Sequence, residues 1–313
     1  MTRTKAPFHR GEEALQASIG LRERMGEIGD KLIRDHMPEQ HRELFSKLPM
    51  VFIGALDAQG QPWATVVHGP PGFVHTPDAR TLRVQRPLDD QDPAREGVRD
   101  GAAIGVLGIE LHTRRRNRVN GLVFDADSDG FALRVDQSFG NCPKYIHARA
   151  PVSEVTRVRA PALAEGSALS AAARRIVTAS DTMFIASSSA GRLDASALAH
   201  EAGAGVDVSH RGGPAGFVAL TEGADGDALE IEDYPGNAMF NTLGNLLLFP
   251  RAGLLFVDWE SGDVLQLAAS ATIVQRGEDE RSLQLRVHGG WLRRGALPFA
   301  WSAPEAPPQF RAK

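Results

Sequence analysis

The amino-acid sequence predicts a mainly β protein, two copies of one domain behind an N-terminal helical segment. Three observations carry that prediction. Gly69-Pro70-Pro71-Gly72-Phe73-Val74 returns as Gly213-Pro214-Ala215-Gly216-Phe217-Val218, an offset of 144 residues. Matched blocks flank both copies in the same order: Met50–Ile53 and Thr182–Ile185 before them, Gly105–Glu110 and Gly253–Asp258 after them. Short apolar runs of period two, punctuated by Gly, Asp and Pro, fit a barrel or sandwich better than a βαβ sheet. A repeat of this period is a duplicated domain and not a solenoid unit, and 313 residues are enough for two cores.

Residues 1–48 form the helical segment. Leu15, Ile19, Leu21, Met25, Ile28, Leu32 and Ile33 recur at near-helical spacing among charges, so 11–48 reads as helix. Pro38, favoured in a first turn, starts a second helix carrying Leu44, Phe45 and Leu48. From Pro49 the period becomes two. Val51–Leu56 and Trp63–Val67 enclose the turn signal Asp57–Gly60 and make a hairpin. Strands at Thr81–Val84, Ala102–Leu111, Arg118–Phe124 and Phe131–Val135 complete a first domain over 49–150. Residues 151–180 are a linker ending in a short helix from Ser170, capped there or at Ser167. The second domain, 181–302, has strands at Met183–Ser187, Val206–Ser209, Gly216–Leu220, Ala228–Glu232, Gly253–Asp258, Val264–Ile273, Ser282–Val287 and Trp291–Trp301. Residues 303–313 are polar, Pro-rich and expected to be a flexible tail.

A net charge of −4 provides no global basic field for nucleic acid or an anionic membrane. The single cysteine, Cys142, excludes an internal disulfide and a thiolate metal cluster and suits a reducing compartment. The N-terminus has no apolar h-region, and no apolar stretch approaches ~18 residues. The expectation is a cytoplasmic protein with no membrane, nucleic-acid or metal partner.

Asp125, Asp127, Asp129 and Gly130 match the opening of a calcium loop, but strands flank them where an EF-hand needs helices, so the segment is a hairpin turn. Arg114–Arg118 reads first as a solvated hairpin tip and second as a phosphate or partner contact. His68 and His210 each precede a Gly-Pro block and suggest one pocket wall used twice, with no triad partner at suitable spacing. Cys142 reads as a small buried hydrophobe. The segment Tyr234–Asn245 combines amides, a hydroxyl and glycines after a strand and before an apolar run. It is either an anion cradle at a helix start or simply a capped short helix.

Four segments carry a resemblance: DHMPEQHRELF at Asp35–Phe45, QSFGNCPKYI at Gln137–Ile146, DVSHRGGPAGF at Asp207–Phe217 and DYPGNAMFNTLGN at Asp233–Asn245. Over about residues 30–290 the chain resembles the pyridoxamine 5′-phosphate oxidase-like, FMN-binding split-barrel superfamily, and within it the tandem-barrel flavin-nucleotide-binding proteins. The resemblance implies two split β-barrels forming a pseudo-dimer, with FMN between them. It further implies that Ser209, His210 and Arg211 line the flavin and ribityl chain, that Asn241, Thr242 and Asn245 hold the phosphate, and that Gln266 reaches the ring. Gln137, Ser138, Asn141, Lys144 and Tyr145 of the first copy would close over it.

Two departures matter. The family's phosphate stretch commonly carries Arg and Lys, where this chain has Asn241 and Thr242; Arg211 and Lys144 would have to help. The first copy has an acidic stretch, Gln85–Pro93, in place of the cradle, unfavourable beside a phosphate. One FMN site per chain is therefore expected. The implied activity is an FMN-dependent oxidoreductase of unassigned substrate, with His210 the candidate acid or base. Its partners would be a small-molecule substrate or a separate redox protein, since one cysteine forbids an iron–sulfur cluster of its own; a homodimer stays open. The alternatives are a non-catalytic flavin or electron carrier and, further off, a split barrel holding haem or a deazaflavin. Pyridoxamine-phosphate oxidation itself is not expected.

Overall fold

The computed structural model describes residues 6–277 and 280–310. The N-terminal segment is three helices, α1 (Arg10–Ser18), α2 (Arg22–Leu32) and α3 (Glu39–Lys47). Its long predicted helix breaks at Gly20, whose φ of 69° leaves the right-handed region, while Pro38 serves as N-cap of α3.

The first sheet holds β1 (Met50–Leu56), β2 (Pro62–His68), β3 (Val74–Asp78), β4 (Thr81–Val84), β5 (Ala103–Glu110), β6 (Arg115–Asp127) and β7 (Gly130–Gly140), in the order β2-β1-β5-β6-β7-β4-β3. The expected linker instead contains β8 (Pro151–Glu154) and β9 (Leu163–Glu165) before α4 (Ala171–Ala179), which Ser170 caps. The second sheet follows with β10 (Thr182–Ser188), β11 (Val206–Gly212), β12 (Ala219–Thr221), β13 (Ala228–Glu232), β14 (Arg251–Val257), β15 (Val264–Gln275) and β16 (Arg281–Arg293); α5 (Ala195–His200) lies after β10 and α6 (Asn241–Leu248) after β13. Its order is β11-β10-β14-β15-β16-β13-β12, with β9 added to β16. Strand β17 (Phe299–Trp301) pairs with β8 apart from both.

The two orders are identical, β1 to β7 matching β10 to β16 in turn. All pairings among neighbours are antiparallel, and each sheet is an open path: among the described residues no ladder joins its first strand to its last. Between β13 and β14 the second sheet carries the helix α6, where the first has only a 3-10 turn at Arg95–Gly97.

Each sheet has its own core, and a third core lies between them. There Phe52 and Phe184, at matching positions of β1 and β10, stack on one another. Glycines let the backbones approach: a Cβ on Gly105 would stand 2.5 Å from the Val206 carbonyl, and one on its counterpart Gly253 2.2 Å from that of Pro62. The C-terminal stretch is docked as far as described, since Glu305 bridges Ala148 and Phe310 packs on Tyr145 and Tyr234. No helix of the described residues is long and apolar enough to cross a membrane.

Candidate functional site

A cavity of about 430 Å³ opens where the two sheets meet. From the first sheet come Leu107 of β5, Arg116 and Arg118 of β6 and the segment Asn141–Tyr145 after β7; from the second come Ser209–Gly212 of β11 and the Asp233–Leu243 stretch entering α6. The backbone is unusual here. Five non-glycine residues have positive φ among the described residues, and three of them, Tyr145, Ala238 and Phe240, line this cavity. Left-handed backbone in alanine or an aromatic residue costs about 1–2 kcal/mol and clusters at working sites.

Phe240, with φ of 58°, stands at the N-cap of α6 and provides no side-chain cap. The first residues of the helix, Asn241, Thr242 and Leu243, line the cavity. Such a start carries orphan donors and the positive end of the helix dipole.

Below it lies a buried polar network built by both sheets. Asp207 of β11 accepts from Arg118 Nη1 at 2.9 Å, Asn120 Nδ2 at 2.8 Å and Asn245 Nδ2 at 2.7 Å. Arg118 also reaches the Ser209 hydroxyl, which is 3.0 Å from that of Thr242. Asn241 Nδ2 donates to Glu12 Oε1 at 2.5 Å. Glu12 is fully enclosed between α1 and α6, and burial together with nearby Asp207 holds its carboxyl well above the ordinary carboxylate range. A Cβ on Gly244 would stand 2.7 Å from the Glu12 nitrogen, and one on Gly11 2.3 Å from the Gly244 carbonyl, so the two helices cross at nearly backbone contact.

Charge on the wall is mixed, with a cationic side. Arg116 is half-buried, and desolvation together with the charges of Arg118 and Arg211 lowers it to about 10; its Nε donates to the Cys142 carbonyl at 2.8 Å. Arg211 pairs with Asp233 at 2.7 Å, and Lys144 and Arg281 complete the cations. His210 is 6% exposed, and neither ring nitrogen has a hydrogen-bond partner. Burial and the arginines around it push its pKa well below the ordinary value, so the ring is neutral. A buried polar group without a partner costs about 1–3 kcal/mol and calls for an explanation.

Of the residues expected at the site, Ser209, His210, Arg211, Asn241, Thr242, Asn141, Lys144 and Tyr145 line the cavity together. Tyr145 also donates to the Pro235 carbonyl at 2.9 Å and stacks on Tyr234 with centroids 5.1 Å apart. The other four are elsewhere. Asn245 lies beneath, holding Asp207 and Ser187. Gln137 and Ser138 are part of β7 itself and anchor the N-terminal segment, through the Pro7 carbonyl and His41. Gln266 faces the opposite side, donating to the Ala64 carbonyl at 3.0 Å and Asp92 at 3.1 Å.

Register explains that last placement. Arg118 pairs with Leu107, and Gln266 with Leu255, the matching residue of the second sheet. Each sheet sends this strand position across to the other sheet's wall, so the cavity receives Arg118 and not Gln266. Register also separates the two histidines: His68 pairs with Met50, whereas Gly212 pairs with Thr182, so the counterpart of His68 is Gly212 and that of His210 is Val66. The basic run is not a hairpin tip. Arg115 begins β6, and period-two alternation sends Arg116 and Arg118 to the cavity, while Arg114 contacts the Ile146 carbonyl.

At the position in the first sheet that corresponds to this network, the chain supplies its own anion. Asp92, 5% exposed, pairs with Arg293 at 2.9 Å and is bound by Thr65 and Gln266. Thr65 matches Ser209, as Gln266 matches Arg118. Asp125 and Asp127, the calcium-like turn, are held by Arg83, and no group of three or more metal-ligating side chains occurs among the described residues.

No family model and no curated protein matches the chain. Among solved structures it is similar to Group A Streptococcus HupZ, at 15% identity over 33% of this chain and 93% of that one, with a TM-score of 0.26. It is similar to HutZ, described as the heme storage protein of Vibrio cholerae, at 13% identity over 41% and 93%, with a TM-score of 0.25. The K. pneumonia MrkH–c-di-GMP complex is 12% identical over 83% and 87%, with a TM-score of 0.25. Similarity at that level leaves fold and function to be argued from the chain itself.

Proposed function

We propose that the cavity between the sheets holds FMN, that the chain is a tandem split-barrel flavoprotein of the pyridoxamine 5′-phosphate oxidase-like kind, and that it is an oxidoreductase. The observation that carries this reading is the convergence, on one cavity built by both sheets, of an uncapped helix start, arginines and an unpartnered buried histidine. The first amides of α6 with Thr242, Arg116 and Lys144 suit a phosphate dianion, since helix amides and cations both favour negative charge. His210, neutral and without a partner, suits a heteroaromatic ring that offers its own hydrogen-bonding edge. The bound cofactor would supply hydride or single-electron transfer. The chain's own residues would bind and orient it, with Tyr145 and Tyr234 limiting water on the open side. Asp92 in the corresponding place of the first sheet supports one such site per chain.

A second reading, haem in the same cavity, is favoured by His210 alone, because a histidine that would hold haem iron needs a neutral ring with a free nitrogen. The absorption spectrum of the purified protein, with and without reconstitution, separates the two. A flavin spectrum at one equivalent per chain is expected; a haem spectrum would replace the first reading by the second, and a colourless protein that takes up neither would refute both. Oxidation of NADH or NADPH by the loaded protein, with no turnover of pyridoxamine phosphate, is expected of an enzyme and not of a passive carrier.

A further inference from the structure

A second cavity, of about 500 Å³, lies on the other side of the molecule against β2. Its wall is drawn from the positions that match those of the first: Val66 and His68 stand where the first has His210 and Gly212. Arg293 and Arg294 stand where the first has Asn141 and Cys142, counted along β7 and β16 from the paired Phe139 and Trp291. Arg86 and Arg159 complete the cations. The chemistry has changed, but the charge has not been lost.

The acids of this wall are already engaged. Asp89 pairs with Arg159 at 2.8 Å and Asp90 with Arg95, while the wall's Arg293 is held at 2.9 Å by Asp92, buried behind it. Arg86 and Arg294, both exposed, have no acceptor among the described residues. Arg293 is 7% exposed, and its Nε has no partner. His68, which lines the same cavity as these arginines, is lowered to about 4 by burial and then by Arg159, Arg86 and Arg293. Among the described residues no aromatic pair flanks the space as Tyr145 and Tyr234 flank the first; Phe299 meets His68 edge-on at 5.8 Å.

We propose that this second cavity binds a small polyanion without a large planar ring, a phosphorylated or polycarboxylate molecule, independently of the first cavity. Paired guanidinium groups match the oxygens of phosphate and carboxylate alike. The unpartnered Arg86, Arg294 and Arg293 Nε would take its charge.

Calorimetric titration of the full chain with inorganic pyrophosphate, and separately with citrate, tests this. For at least one of the two, the wild type is expected to show binding that Arg86→Gln/Arg294→Gln weakens at least tenfold. Arg116→Gln/Lys144→Gln, in the first cavity, should leave that binding in place. Both arginines of the first double variant are exposed, so its thermal unfolding should match the wild type and a folding defect would not mimic the loss. The preferred anion identifies phosphate or carboxylate as the source of the charge. Unchanged binding in Arg86→Gln/Arg294→Gln, or no binding of either anion to the wild type, would overturn the proposal. Flavin uptake is read by absorbance in the first cavity, so either proposal can fail without the other.

Discussion

Phe52 and Phe184 lie face to face, ring centroids 3.6 Å apart and planes 14° from parallel. They occupy the same place in two sheets of identical strand order, so the contact is one residue position meeting its own counterpart, as at a two-fold interface. Both are fully buried. Phe52→Ala should cost about 3–5 kcal/mol in urea unfolding. Because the two rings share one contact, Phe52→Ala with Phe184→Ala should cost less than the sum of the singles; strict additivity would show that the rings are not coupled.

The glycine pair makes a second test of the same contact. Gly105→Ala and Gly253→Ala would each drive a methyl into an opposing carbonyl, and overpacking of that kind costs about 1–3 kcal/mol. Gly236→Ala, where a Cβ would meet nothing within 4 Å, is the control and should be close to neutral by thermal unfolding.

Arg118 and Asp207 form a buried pair contributed by opposite sheets. Arg118→Met leaves the Asp207 carboxylate buried without its cation and should destabilise by about 3–5 kcal/mol. Adding Asp207→Asn should restore much of that loss. A double variant no more stable than Arg118→Met would show that the pair is not what the arginine serves.

Glu12 should make stability fall as pH rises. Its folded pKa lies above the ordinary 4.5, so the folded state holds its proton more tightly than the unfolded state. The contribution is complete below 4.5 and is lost as pH climbs toward the folded pKa. Glu12→Gln keeps the hydrogen-bonding shape without the proton. It should match the wild type near pH 4 and exceed it at neutral pH; equal stabilities at both would contradict a protonated Glu12.

Histidines act at the other end. His41 and His68 are lowered to about 4 from 6.5, chiefly by burial. The unfolded state then binds protons more readily, so stability is complete above 6.5 and declines as pH falls from 6.5 toward 4. His68→Gln should flatten that decline, seen as a smaller drop in Tm between pH 7 and pH 4.5.

How far the sequence reveals this molecule depends on whether a feature is local. Short apolar runs bounded by turn residues place β1 and β2, buried along almost their whole length, and alternating burial places β13, each almost to the residue. Strand β3 is hidden by His75 and Pro77 in five residues. In the site, Tyr234–Asn245 is legible because turn residues before an apolar run mark a helix start. Arg116 and Arg118 are not, since four arginines in five positions look like a solvated turn until the strand is known to begin at Arg115. Gln266 is misplaced for a topological reason: which sheet a strand serves is set by the crossing of two sheets, and no local pattern records it. Gln137 and Ser138 are claimed by Pro7 and His41, partners about a hundred residues away.

The self-supplied anion at Asp92 has a consequence for how this chain can change. In an assembly of two identical subunits, every substitution lands in both cavities at once, and a carboxylate that improved one would poison the other. Here residue 118 is arginine while its counterpart is glutamine, and the two cavities answer to separate codons. The paired phenylalanines and glycines hold the frame nearly symmetric, so the chemistry on either side is free to drift. A library confined to Arg86–Asp92 would alter one chamber and leave the other as it was, within a single polypeptide.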